Sequence, residues 1–208
     1  MRTILVRHGQ TDWNRNRIFR GRADVPLNEE GRAEADAIGR ALEGIRIDAV
    51  YASPLSRAIE TAQRASGRRP ELEEGFADIH YGEWQGLPEE AVKERYPEAY
   101  RTWHSSPQRA RIPGGETLDE VRVRAMDALM RLSERHQGET TLIASHRVAN
   151  KVLLCSVLGW DTAAFWRIKQ DTCAINIFDC SPEGFVIHTI NDAGHLRSLG
   201  ERLEVLDF

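Results

Sequence analysis

The sequence predicts an α/β protein, a three-layer α/β/α sandwich around a mostly parallel central sheet. Two observations carry that reading. Three short apolar runs, TILVRH (3–8), IDAVYAS (47–53) and TTLIAS (140–145), are each followed by a stretch with helical periodicity. Near the end, CAINIFDC (173–180) and FVIHTI (185–190), joined around Pro182 to Gly184, read instead as a hairpin that finishes the sheet. Strands alternating with helices pair in parallel through right-handed crossovers, and both faces of the sheet are then covered.

After the first strand the pattern turns helical from Asn28 to Leu42. Ala33, Ala37 and Ala41 recur every four residues, and Ile38 and Leu42 widen that stripe. After the second strand, Ser53 and Pro54 have the types of an N-cap and first helical residue for a helix reaching Ala65. Residues 75–115 are rich in glycine and proline, with one helical patch near 89–103. They read as a cap-like insertion over one edge of the sheet in a single domain spanning 1–208. Thr117 and Glu120 have capping-box spacing, and Leu118, Val121, Ala125, Leu129 and Leu132 mark the buried face of the next helix. Helices over about 148–158 and 161–169 come after the third apolar run.

Composition narrows the function classes. A formal net charge of −4 gives no basic field for nucleic acid. No apolar run approaches the ~20 residues of a membrane span, and no leader pattern opens the chain. Cys155, Cys173 and Cys180 lack metal-ligand or redox spacing, as expected of buried thiols in a reducing, cytoplasmic protein. The cations are almost all arginine, with lysine only at 93, 151 and 169. That is either a compositional bias or a supply of guanidinium forks for phosphate or carboxylate. A homodimer is left open.

Reactive residue types stand where the strands end. The first run delivers Arg7 and His8, the second leads into SPLSR with Arg57, and the third ends in His146 and Arg147. In parallel sheets ligands bind beyond the carboxyl ends of the strands. Converging there, two imidazoles and at least two guanidiniums make a pocket for a phosphoryl dianion. Neighbouring cations keep an imidazole neutral and able to attack phosphorus. Each residue alone has an ordinary structural reading, and the joint arrangement points to chemistry.

The stretches LVRHGQTDWN (5–14), GRADVPLNEEGRAEA (21–35), YASPLSRAIETA (51–62), IHYGEWQG (79–86), PGGET (113–117) and SHRV (145–148) together resemble the histidine phosphatase superfamily, in its phosphoglycerate-mutase-like branch. The resemblance implies a phosphohistidine on His8, with Arg7, Arg57 and His146 completing the phosphate pocket and Asn14 and Gly21 beside it. It implies no metal and no cofactor, and a small phosphorylated substrate. The proton donor of the branch is commonly a glutamate where this chain has Asp78, one methylene shorter; Glu83 is the fallback. Arg20 and Arg147 replace types that are usually uncharged in the branch. They are either surface charges or cations added to the pocket rim.

Phosphatases and mutases of the branch share these motifs. Mutases carry longer insertions over the site, and the segment from Gly86 to Pro113 is short, so a phosphatase is favoured over a cofactor-dependent phosphoglycerate mutase. A non-catalytic phospho-ligand-binding module is disfavoured by the intact Arg7–His8–Arg57–His146 set. A metallohydrolase using His8, His80, His146 and His188 is disfavoured by the absence of paired ligand spacing.

Overall fold

The computed structural model describes residues 1–200. Its strands are β1 (Arg2–Arg7), β2 (Ala49–Ala52), β3 (Glu71–Leu72), β4 (Thr140–Ser145), β5 (Ile175–Ser181) and β6 (Gly184–Asp192). Its helices are α1 (Asp12–Arg15), α2 (Glu29–Ala41), α3 (Ser56–Ser66), α4 (Glu89–Arg95), α5 (Pro97–Ser105), α6 (Leu118–Arg135) and α7 (Arg147–Val157). The strand order is β3-β2-β4-β1-β5-β6. The first four in that order are parallel, and β5 and β6 run antiparallel as the expected hairpin.

Alternation along the central strands builds the three layers. Ile4, Val6, Val50, Ala52, Leu142 and Ala144 face the alanine-rich surfaces of α2 and α3. The intervening Leu5, Tyr51 and Ile143 face Ala125, Leu129 and Leu132 of α6 and Leu153 of α7. Successive strand side chains point to opposite faces. Each fully buried aliphatic side chain contributes roughly 1.5–3 kcal/mol, so both sides of these strands favour the same register. Thr117 and Glu120 form the expected capping box at the start of α6.

Several local expectations change. In α2 the buried face is Gly31, Glu34, Ala35, Ala37 and Ile38; Ala33 is half-buried and Ala41 exposed. The stripe is rotated because Glu34 is drawn inward, accepting from the Gln10 N–H at 2.8 Å and the Thr172 hydroxyl at 2.9 Å. α3 starts at Ser56, with Leu55 at its cap and no side-chain capping bond. The patch near 89–103 is two helices, broken at Tyr96 because Pro97 disfavours helical backbone at the preceding residue. The 161–169 segment is a 3-10 helix over Thr162–Arg167. The two-residue β3 is an addition to the expected sheet, being too short for periodicity to register.

The 75–115 segment packs through an aromatic cluster. Trp84, Trp103, Tyr81 and Phe19 sit with Val148, Val152 and Phe165. Trp84 and Trp103 meet edge-to-face, 6.5 Å between centroids, and the Trp166 indole donates to Trp103 O at 2.7 Å. The insertion is thereby fixed against the N-terminal half of α7, at the sheet end where β1 and β4 finish.

Candidate active site

β1 and β4 are parallel neighbours with Arg7 opposite Ser145, so the residues just beyond them emerge side by side. The His8 N–H donates to Ser145 O at 2.9 Å, and the rings of His8 and His146 stand 5.1 Å apart. The Ser53 N–H donates to Ala144 O at 3.0 Å and brings the end of β2 to the same place.

His8 is fully buried. Its Nδ1 lies 2.7 Å from Gly9 O. A carbonyl only accepts, so Nδ1 carries the proton and Nε2 presents a lone pair. That Nε2 has no hydrogen-bond partner. Burial, and then the charges of Arg57, His146, Arg20 and Arg7, hold the imidazole well below its ordinary range, and it is neutral at pH 7.

The glycine after His8 does not serve a left-handed turn. A Cβ on Gly9 would lie 2.3 Å from Gly31 O, and one on Gly31 would lie 2.1 Å from Gln10 O. The two glycines let α2 press against the backbone that carries the imidazole.

His146 is buried and caps α7 through its backbone. Its Nε2 is 2.7 Å from Ser53 Oγ. Ser53 Oγ accepts from the Leu55 N–H at 3.3 Å, which turns its hydroxyl proton toward His146. Nδ1 then carries the proton of the neutral ring and is left as the donor in the site. Burial followed by Arg57 and Arg20 lowers the His146 pKa strongly as well.

Arg7 and Arg57 are also buried. Arg7 Nη1 donates to Gln170 O, and Gln170 is held by Asn176, whose Nδ2 donates to Leu5 O at 2.9 Å. Arg57 donates from Nη2 to Gly21 O at 2.7 Å and from Nη1 to Ala23 O at 2.8 Å. Gly21 has φ +50, and a Cβ there would sit 2.9 Å from Ile79 O. Its observed contribution is the carbonyl that orients Arg57. Asp78 is buried, with Oδ2 3.4 Å from Arg57 Nη2 and 3.8 Å from His146 Nδ1. Asn14 Oδ1 is engaged by the Thr11 N–H and hydroxyl, at 3.0 and 2.9 Å.

Comparison with known proteins decides the family. Residues 3–193 match the histidine phosphatase superfamily (branch 1). The chain belongs to that superfamily. Phosphoserine phosphatase 1 of Hydrogenobacter thermophilus is 32% identical over 199 residues, covering 94% of each chain. A metal-independent phosphoserine phosphatase of Arabidopsis thaliana is 32% identical over 203 residues, 95% of this chain and 84% of that one. Among solved structures, Bacillus stearothermophilus YhfR superposes with a TM-score of 0.89 at 31% identity, over 94% of this chain and 98% of that one. The enzyme class is phosphoric monoester hydrolase.

In this histidine phosphatase the remaining candidates fall in different places. Glu83 is exposed and its carboxylate accepts from the Tyr96 hydroxyl at 2.8 Å. Arg20 and Arg147 are buried, 7% and 6% exposed, rather than surface charges. Together with Asp78 and Tyr81 they line a narrow cleft with room for about one water molecule. Burial, then Arg7 and Arg57, pull Arg20 down to about 9, so it stays charged at neutral pH. His80 Nδ1 accepts from the Gly82 N–H, and His188 sits on the edge strand β6 against Asp179. Among the described residues no group of three His, Cys, Asp or Glu side chains is arranged to hold a metal ion.

Two supporting residues escape the sequence reading. Ser53 reads as a helix cap, and its serine-proline context fits that role as well as the one it has. Arg124 lies mid-helix in α6 and donates to Gly75 O, Ala77 O and Asp78 O at 2.8–3.0 Å while paired with Glu116. It fixes the backbone that presents Asp78, and no local pattern marks it.

Proposed function

We propose that this histidine phosphatase hydrolyses small phosphomonoesters through a phosphohistidine on His8. The observation that carries the reading is the His8 ring, whose Nδ1 proton is engaged by Gly9 O while Nε2 is left unpartnered among Arg7, Arg57 and His146. Nε2 attacks phosphorus, and the phosphoryl oxygens are held by Arg7, Arg57, the His146 Nδ1–H and the Asn14 amide. The bond from phosphorus to the ester oxygen breaks, and protonated Asp78 supplies the proton to the leaving alcohol. Water then attacks the phosphohistidine, giving its proton to the Asp78 carboxylate, and inorganic phosphate leaves. The buried guanidiniums of Arg7 and Arg57 offset the charge on the transferring oxygens, which is most of what phosphoryl transfer requires.

The whole chain acts as one such domain, with residues 75–115 as its cap. Phosphoserine, named in two of the relatives, is the first substrate to assay. No helix among the described residues is long and apolar enough to cross a membrane. The cytoplasmic assignment rests on the three cysteines, all buried free thiols.

The test is labelling with a ³²P-monoester followed by alkaline quench, which preserves phosphohistidine. Wild-type protein retains label and His8→Ala does not, and His8→Ala loses at least about a thousandfold in turnover. A panel of phosphorylated metabolites, scored for free phosphate and for isomerised product, separates phosphatase from mutase. Retained turnover in His8→Ala would exclude the nucleophile.

A further inference from the structure

We infer that Glu34 is a positioning residue for the His8 nucleophile, acting through the peptide group between Gly9 and Gln10. The inference rests on the phosphohistidine reading above and names the carboxylate that stands behind the imidazole.

One peptide group carries both contacts. Its carbonyl is Gly9 O, which accepts from the His8 Nδ1–H at 2.7 Å. Its N–H is that of Gln10, which donates to Glu34 Oε2 at 2.8 Å. A peptide group is planar, and in the trans form its C=O and N–H point to opposite sides. The carboxylate on one side therefore fixes the plane that meets the imidazole on the other. Charge adds to position. Hydrogen bonds in a chain polarise one another, and a carboxylate at the N–H makes the carbonyl oxygen a stronger acceptor. An imidazole held in this way at one nitrogen is more basic at the other, here the Nε2 that attacks phosphorus.

The neighbouring amides make the choice of a carboxylate specific. The His8 N–H goes to Ser145 O, the Gly9 N–H to Thr61 Oγ1 at 3.1 Å and the Thr11 N–H to Asn14 Oδ1 at 3.0 Å, all neutral acceptors. The Gln10 N–H, in the peptide that touches the imidazole, goes to a carboxylate. Glu34 is fully buried, and a carboxylate taken out of water is costly. Neutral side chains satisfy the adjacent amides, so backbone satisfaction alone does not call for that cost.

Local structure delivers the carboxylate. Glu34 stands three residues after Gly31 on the same face of α2. A Cβ on Gly31 would lie 2.6 Å from Gln10 N, so the glycine is what lets this face of α2 reach the Gln10 N–H. The other oxygen, Oε1, accepts from the Thr172 hydroxyl at 2.9 Å. Thr172 precedes Cys173, whose N–H donates to His8 O at 3.4 Å. Both oxygens of Glu34 thus steady backbone that borders the nucleophile.

Two substitutions test the role. Glu34→Gln keeps an acceptor oxygen for the Gln10 N–H and removes the charge, whereas Glu34→Leu removes both. The His8 tautomer is read from two-bond ¹H–¹⁵N spectra of ¹⁵N-histidine protein, with the His8 signals identified by their loss in His8→Gln. Wild type and Glu34→Gln show the Nδ1–H form alone, and Glu34→Leu shows a mixture of both tautomers. Single-turnover nitrophenolate release from p-nitrophenyl phosphate, read well below the melting temperature, slows about 3- to 10-fold in Glu34→Gln. In Glu34→Leu it slows about 10- to 100-fold, the scale of one hydrogen bond to a charged group. Inorganic phosphate binds Glu34→Gln within about threefold of wild type by calorimetry, because the carboxylate acts on the imidazole and not on the phosphate. A folded Glu34→Leu protein with one His8 tautomer and a rate within about twofold of wild type overturns the role. Should that variant not fold, a wild-type rate in Glu34→Gln overturns it. The tautomer is read without turnover, so failure of the phosphohistidine reading leaves this test standing. Conversely, a His8 that is phosphorylated normally and is indifferent to both substitutions refutes the role of Glu34 alone.

Discussion

Ser53 Oγ lies 2.7 Å from His146 Nε2, so the end of β2 sets the tautomer of the imidazole at the end of β4. Ser53→Ala removes that bond inside the buried site. The expected loss is about 1–3 kcal/mol in transition-state stabilisation, or roughly 5- to 150-fold in kcat/KM. The loss is expected equally for alkyl phosphates and p-nitrophenyl phosphate, because the proposed mechanism sets His146 on the phosphoryl group and not on the leaving oxygen. An effect confined to alkyl phosphates would move Ser53 into the proton-donor machinery.

Asp78 and Glu83 are separated by leaving-group dependence. Asp78→Asn slows alkyl phosphate cleavage by about 10²- to 10⁴-fold and p-nitrophenyl phosphate much less, since nitrophenolate departs without a proton. Glu83→Gln, exposed and bonded to Tyr96, changes neither rate by more than about twofold. The reverse ranking would transfer the acid role to Glu83.

Acid sensitivity follows from the two depressed histidines. Both have folded-state pKa values well below their ordinary 6.5. Below that value the unfolded chain takes up protons that the native state refuses, so stability falls as pH drops beneath 6.5. Each histidine contributes up to about 1.4 kcal/mol per pH unit in that window. Urea unfolding between pH 7 and 5 shows the slope, and His8→Gln removes part of it. A flat profile would mean the imidazoles are not held neutral.

Gly9→Ala tests the contact behind the His8 strand end. The added Cβ meets backbone on α2 at 2.3 Å, where no flexible side chain can yield. The expected cost is about 3 kcal/mol, or a melting temperature lower by roughly 6–12 °C. Activity falls with it, because the displaced backbone carries the carbonyl that fixes the His8 tautomer. Unchanged melting would show that α2 can retreat freely.

The sequence alone determined the architecture and most of the residues that gather at the candidate site. Continuous apolar runs marked buried strands, because a strand covered on both faces has no polar alternation to hide. Arg7, His8, Arg57 and His146 were legible because parallel topology delivers the residues after each strand to one edge. The features left open by sequence depend on contacts between distant segments. Ser53 carries the same letter as a helix cap and as a partner of His146, and only the adjacency of β2 and β4 assigns it. Gly9 has the letter of a turn residue, and only the approach of Gly31 shows that it serves a close packing of backbones. Arg124 and Gln170 support the site from α6 and from the loop before β5, with no spacing that links them to Asp78 or Arg7. Arg20 and Arg147 could be surface charges or site cations by sequence. Only the packing of distant segments shows both to be buried and to share a cleft with Asp78 and Tyr81.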